Sequence, residues 1–326
     1  MISSIILYIL LFILSFTLTY CIKNYYIKFS LLDKVNERSS HSIPTPHGGG
    51  IALSLSWFIG LCYLHFDNQI EPTLFYALII GICISIVSFF DDIYELSAKF
   101  RILVQSCVSI AGIIVLGGYE SLDFWFYSIS NPIVTNIFAF LLIIWFINLY
   151  NFLDGINGYA GSEAIFLAIS GFIIFGGSHF IVLAVCVLGF LYWNWNKGKI
   201  FMGDVGSTLL GYNIAIFTLY YANQESSNMW IWIILFGTFW FDATITLIRR
   251  KFNSEKLNQA HKKHAYQRLT QSGWSHFKVT NYSIILNCVL FFTVYFISNI
   301  VVSFLISIIV LYFATKFVDK RKAFLK

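Results

Sequence analysis

The chain has 326 residues, 58% of them hydrophobic and only 11% charged, with a formal net charge of +5. A soluble domain carries about 25% charged residues. The composition therefore excludes a water-soluble globular protein, a disordered chain and, with 21 Gly and 4 Pro, a collagen-like one. What remains is a polytopic membrane protein, in which each span takes about 20 apolar residues.

In chain order, apolar stretches fall at residues 2–22, 50–66, 73–90, 102–118, 133–150, 160–177, 179–195, 206–222, 230–248, 279–297 and 299–316. They predict one all-α transmembrane domain over residues 1–326, with about eleven transmembrane helices joined mostly by short loops. The first stretch is too long for a signal-peptide core, and it lacks a basic leader and a cleavage site. It reads as a retained span. Numbering the connections alternately puts all 21 Lys and Arg on one side of the membrane. The other side holds Asp67, Glu71, Glu120, Asp123 and Glu225 and no basic residue. The positive-inside rule then puts the N-terminus outside and the C-terminus in the cytoplasm. Trp125, Trp193, Trp195, Trp230 and Trp232 fall near span ends, as interfacial anchors do. The six cysteines have no CxxC spacing and read as small apolar packing residues.

Five polar segments lie on the predicted cytoplasmic face. Asp91, Asp92 and Glu95 end the third span. Carboxylates so close to hydrocarbon are costly unless a cation binds them, and such pairs hold Mg2+ and through it a diphosphate. A solvated helix end countered by Lys99 and Arg101 is the plain alternative. Asn148, Asn151 and Asp154 form a polar stripe at the end of the fifth span, followed by Gly155, Asn157 and Gly158. They serve either a ligand or helix–helix hydrogen bonding. Phe201-Met-Gly-Asp204-Val-Gly-Ser opens the eighth span. Asp204 there either caps the helix or binds at a helix start that favours phosphate. Residues 249–278 carry eight basic residues and one acid, with His261 and His264 spaced i, i+3. This loop is suited to an anion or to anionic lipid, and poorly suited to zinc. The stretch from Arg38 to Gly50 is either a Pro/Gly connector or a row of bare amides for phosphate. Asp242, inside the ninth span, must pair or bind something.

In order and on one face, SHSIPTPHGGG, DDIYELSAKFR, NLYNFLDGINGYAG, FMGDVGS and AHKKHAYQR resemble the polyprenyl-phosphate N-acetylhexosamine-1-phosphate transferases, most closely the branch that starts O-antigen and related glycans. The resemblance implies a UDP-sugar donor, undecaprenyl phosphate as acceptor, release of UMP, and Mg2+ as cofactor with Mn2+ as an alternative. It implies Asp91, Asp92 and Asp204 as catalytic residues and Asp204 with Asn151 as metal ligands. Arg101 would meet the diphosphate, and Phe201 and Asn157 would hold the uracil. Asp154 would join the substrate-binding set, and the segment from His261 to His264 would approach the sugar. Membrane lipid and a second copy of the chain are the further partners implied; nucleic acid is not expected. The location implied is the bacterial cytoplasmic (inner) membrane, multi-pass, with the site on the cytoplasmic face. The chain departs from the pattern at Glu95, at Asn157 (an Asp is common there), at His47 (an Arg is expected) and at Lys262 and Lys263 within the His-rich segment. Two other classes stay open on the residues alone. A secondary transporter for an anionic solute would place charges mid-membrane and show a repeat. An intramembrane prenyltransferase would need a second acidic diphosphate motif.

Overall fold

The computed structural model describes residues 2–29, 32–33, 45–94, 96–257, 259 and 261–324. Every predicted apolar stretch is helical. The chain runs through α1 (Ile2–Lys28), a two-stranded ribbon of β1 (Leu32–Asp33) and β2 (Thr45–Pro46), α2 (Gly49–Phe66), α3 (Pro72–Ile79), α4 (Gly81–Tyr94) and α5 (Ala98–Val115). A second ribbon, β3 (Leu122–Phe124) and β4 (Tyr127–Ile129), precedes α6 (Pro132–Leu153). Then follow α7 (Tyr159–Phe175), α8 (Ser178–Asn194), α9 (Asp204–Gln224), α10 (Ser227–Leu235), α11 (Gly237–Phe252), the short α12 (Ala265–Gln271), α13 (His276–Phe296) and α14 (Ile300–Arg321).

Helix starts on the predicted outer side carry local stop–start chemistry. Glu71 accepts from the Leu74 N–H ahead of Pro72, and Asn131 accepts from the Ile133 and Val134 N–H groups ahead of Pro132. Asn299 does the same for Val301 and Val302. Proline at the first helical position has no N–H to satisfy, and the cap satisfies the next ones.

Among the described residues, seven helices are long and apolar enough to cross a membrane, or eight if the bent pair α10–α11 is one span. This is fewer than the eleven expected. Two of the remaining predicted spans, α7 and α8, have 17 residues each. The third, α9, has the length but not the apolarity, because nearly all of it is buried by protein. It packs on α2, α4, α6 and α10. A helix that meets no lipid can carry Thr208, Tyr212, Asn213 and Thr218. The ninth predicted span is broken by 77° between α10 and α11. Gly237 opens the second piece against Leu290 and Leu311, where a Cβ would meet methyl groups at 2.9 and 3.0 Å. The Trp240 indole N–H donates to the Ile233 carbonyl across the break, restoring one of the bonds a kink removes. Trp232 is not an interfacial anchor. It is fully buried among Phe175, Phe180, Phe217 and Tyr221. All six cysteines are free thiols.

A close backbone-to-backbone approach joins the starts of α2 and α9. A Cβ on Gly50 would lie 2.3 Å from the Gly206 nitrogen, so both positions need glycine. The Gly49 and Gly50 amides donate to the carbonyls of Phe201 and Met202. These amides are therefore taken, and the glycine run acts as a connector that sets α9 in place. The upstream part of that segment, Arg38 to Pro44, and Glu95 lie outside the described residues.

Candidate active site

Asp204 is the first residue of α9, at the bundle end where α4, α5 and α6 meet. It is not a cap: Gly203 holds the cap position, at φ 75°, and no side chain caps the helix. Its Oδ1 accepts from Asn151 Nδ2 at 2.8 Å, and Oδ2 lies 3.5 Å from Arg101 Nη1. Asn151 Nδ2 also reaches Ser207 Oγ at 3.0 Å. The amide nitrogen of Asn151 is thus spent on orienting Asp204, and its Oδ1 is the atom left for an ion. The Asp204 side chain keeps 33% exposure.

The two aspartates at the end of α4 have different surroundings. Asp91 is buried and occupied: it accepts from the Leu96 N–H at 2.7 Å and from Arg101 Nη1 at 2.8 Å. It shapes the turn into α5 and aims the guanidinium across Asp204. Asp92 faces the Asp204 backbone N–H, lies against Gly203, and keeps a buried Oδ2 without a hydrogen-bond partner among the described residues. An orphaned buried carboxylate oxygen is costly unless a ligand completes it.

A cavity of about 220 Å3 begins at Arg101, Asn151 and Asp204 and continues between Ile84, Val87, Ile102 and Val104. Gln105 and Asn148 also line it, hydrogen-bonded to each other at 2.8 Å across α5 and α6. Asn148 is therefore helix–helix glue. The cavity has a charged head and a mostly apolar wall interrupted by Ser88, Gln105, Asn148 and Thr208.

Asp154 follows α6, and its carboxylate accepts no hydrogen bond among the described residues. Burial, and then the charge of Asp204, push it up to about 7. Asn157 sits apart from the acids. Its Nδ2 donates to the Asn196 carbonyl at 3.0 Å, its backbone N–H points at His276, and its buried Oδ1 has no partner among the described residues. Phe201 precedes the Gly203–Asp204 turn, its backbone paired with Pro46 and Gly49.

The basic loop returns to the site through α12. The Tyr266 hydroxyl donates to the Phe152 carbonyl at 3.2 Å, two residues before Asp154. His264 is buried, with Nδ1 3.7 Å from Asp242 Oδ1 and its ring 4.8 Å from that of His261. Burial, then His264 and Arg250, hold His261 down at about 4, so it is neutral at physiological pH. Asp242 accepts the Ala265 N–H on both oxygens, at 2.8 and 2.9 Å, and the Thr246 hydroxyl at 3.1 Å. It anchors the start of α12. The spacing of His261 and His264 pointed to this loop, but nothing local in the sequence tied Asp242 to it. His47 was likewise seen only as a departure from a pattern. It stands against Tyr26, ring to ring at 5.3 Å, and close enough to act on Asp204 electrostatically.

A family model described as glycosyl transferase family 4 matches residues 74–222, the stretch holding Asp91, Asp92, Arg101, Asn151, Asp154 and Asp204. The chain is 31% identical over 295 residues to a Bacillus subtilis protein named as an undecaprenyl-phosphate N-acetylglucosaminyl 1-phosphate transferase, covering 85% of this chain and 80% of that one. It is 30% identical over 246 residues to the undecaprenyl-phosphate alpha-N-acetylglucosaminyl 1-phosphate transferase of Yersinia pestis, covering 69% and 64%. A phospho-N-acetylmuramoyl-pentapeptide-transferase of Enterococcus hirae is 29% identical over 210 residues, covering 58% and 65%. With its acidic centre at one end of a helical bundle and this coverage by its relatives, the chain belongs to the polyprenyl-phosphate N-acetylhexosamine-1-phosphate transferases of glycosyl transferase family 4.

Proposed function

We propose that the protein transfers an N-acetylhexosamine-1-phosphate, or a 6-deoxy relative, from a UDP-sugar to undecaprenyl phosphate, releasing UMP and starting a lipid-linked glycan such as O-antigen. The observation that carries this reading is the cavity with Arg101, Asn151 and Asp204 at its head and isoleucine and valine along its wall. Its chemistry suits an amphiphile whose phosphate meets the charged end and whose prenyl chain follows the apolar wall.

The residues present fit Mg2+. Asp92 offers a buried oxygen that is unpaired among the described residues and Asp204 a one-third-exposed carboxylate. Among the described residues no three acidic, His or Cys side chains converge as a ready-made metal cage. That agrees with Mg2+ chemistry, in which one or two carboxylates and the substrate phosphates share the ion. Asp204 and Asp92 would hold it, with Asn151 Oδ1 as a further ligand. Bound there, the ion supplies charge neutralisation for the diphosphate and the departing UMP.

Arg101, held by Asp91, presents its guanidinium to the diphosphate. Asn151 locks the Asp204 carboxylate in one orientation. The acceptor phosphate attacks the sugar-linked phosphorus in line, forming the new P–O bond as the bond to UMP breaks. A phosphate monoester has its second pKa near about 6, so the acceptor is largely dianionic at neutral pH and needs no strong base. The 261–266 segment lies on the Asp154 side and would read the sugar.

We place the site on the cytoplasmic face of the inner membrane, with eleven crossings and the N-terminus outside, on the one-sided distribution of all 21 basic residues. A cysteine at Glu120 should be labelled from outside by an impermeant reagent, and one at Gln259 should not. The central test incubates purified protein, undecaprenyl phosphate and Mg2+ with a panel of UDP-sugars and measures UMP. No acceptor-dependent UMP with any donor overturns the reading.

A further inference from the structure

The seven-residue α12 is too short to hold its own conformation, since isolated helices shorter than about 12–15 residues are marginal. Its position must come from outside it. Asp242 of α11 anchors its first N–H. A second grip comes from Asp319, near the end of α14. The Asp319 carboxylate accepts two hydrogen bonds from Arg249, at 2.8 and 2.9 Å, and one from Arg268 of α12 at 2.7 Å. Arg268 is almost fully buried, and its Nη1 also donates to the Lys322 carbonyl at 3.0 Å. The Phe324 ring lies beneath Arg249, Lys263 and Arg268, at 5.3, 5.5 and 5.3 Å from its centroid.

We propose that Asp319 is a positioning residue for the donor side of the site. It ties α12 to α11 and α14, and so sets where the segment from His261 to Tyr266 stands relative to Asp154. Bidentate arginine–carboxylate pairs fix geometry as well as distance. A small misplacement of a positioning group costs far more rate than its own contacts suggest. The acids at the head of the cavity are held by Asn151 and Arg101, with no link to Asp319 among the described residues. Loss of the grip should therefore change donor handling and spare acceptor handling. The kinetic half of this proposal rests on the transferase reading; the tether does not.

The experiment uses the full chain in nanodiscs with Asp319→Asn, Asp319→Glu and Arg268→Lys. Hydrogen exchange of residues 261–271 reads the tether without substrate. KM for the UDP-sugar that supports turnover, against KM for undecaprenyl phosphate, reads the positioning. Asp319→Asn should speed exchange and raise donor KM about tenfold each, with acceptor KM within about twofold. Asp319→Glu should recover most of both, because the carboxylate remains. Arg268→Lys keeps the charge but loses the fork, and should shift both readouts in the direction of Asp319→Asn if the latter fails to fold. Unchanged exchange overturns the tether. Faster exchange with equal shifts in both KM values, or with none, overturns the positioning role. Absence of turnover in the unmutated protein overturns the transferase reading alone, and exchange still decides the tether.

Discussion

The protein holds two carboxylate–asparagine–hydroxyl clusters built from nearly the same groups. At one end of the bundle, Asp204 pairs with Asn151, which also reaches Ser207. Inside it, Glu163 of α7 accepts from Asn287 of α13 at 2.5 Å and from Thr238 of α11 at 3.3 Å. The difference lies in access and charge. Asp204 is one-third exposed, with Arg101 and a second carboxylate beside it and a cavity in front. Glu163 is 1% exposed, with no cation in its cluster among the described residues; its Oε1, like Asp92 Oδ2, has no hydrogen-bond partner there, so an orphaned oxygen alone does not separate the two. The first arrangement can take a ligand. The second ties three helices together, as polar groups do between membrane helices. An acid and an amide in one bundle therefore do not identify a site; solvent access and unbalanced charge do.

The strongest break of this comparison is Asp204→Asn. Gly203 occupies the cap position, so amidation removes no cap. Turnover should fall by about 10²–10³-fold or more, as losses of transition-state charge stabilisation do, with thermal stability unchanged and partial recovery at raised Mg2+ or with Mn2+. Near-native UMP release would remove Asp204 from the ion's coordination. The next effect separates the neighbours on α4. Asp91→Asn loosens Arg101 and should raise donor KM about tenfold, whereas Asp92→Asn should act on kcat by about 10²-fold. The same change in the same parameter for both would mean that the pair acts as one unit.

A smaller effect concerns pH. The folded Asp154 carboxyl titrates near about 7 against 3.8 for the free group. Between those values the folded state binds the extra proton, so stability falls as pH rises through this window. With no divalent ion present, melting temperature should drop between pH 5 and about 7.5. Asp154→Asn should reduce that slope by this one group's share, and an unchanged slope would trace it to other groups. The smallest expected effect is in the interior cluster. Glu163→Gln still accepts from Asn287 and should leave turnover within about twofold, while Asn287→Leu leaves the buried carboxyl with Thr238 as its one donor among the described residues and should cost stability by about 1–3 kcal/mol. A Glu163→Gln protein that folds but turns over a hundredfold more slowly, a change of about 2.7 kcal/mol, would move Glu163 from the scaffold to the chemistry.

Much of this was legible because both apolar spans and clustered carboxylates leave local marks. Hydropathy located the helices, including the tight turns at Gly176 and Asn299, and the acidic and Gly-flanked motifs located Asp91, Asp92 and Asp204. Pairings between distant segments left no such mark. The division of labour between Asp91 and Asp92 depends on where Arg101 folds back. Asp319 lies 51 residues from Arg268 and 70 from Arg249 in an ordinary basic helix end. The break at Gly237 and the burial of Trp232 come from neighbours packed against one another, which hydropathy does not encode. For the glycines after His47 the sequence left a connector and free amides equally open, because their partners, Phe201 and Met202, are more than 150 residues away.

The burial of α9 bears on how the chain is made. A helix leaves the translocation channel into lipid when its surface is apolar enough, and α9 carries Thr208, Asn213 and Thr218, fully or nearly fully buried by protein, with neither polar atom of the Asn213 side chain hydrogen-bonded among the described residues. Amide and hydroxyl groups facing lipid would each be costly. Insertion of α9 should therefore be a joint event with α2, α4 and α6, which precede it in the chain and pack around it. The central helix of the finished enzyme depends during biosynthesis on its neighbours, and a ribosome-bound chain lacking any of those three should leave α9 accessible to aqueous reagents.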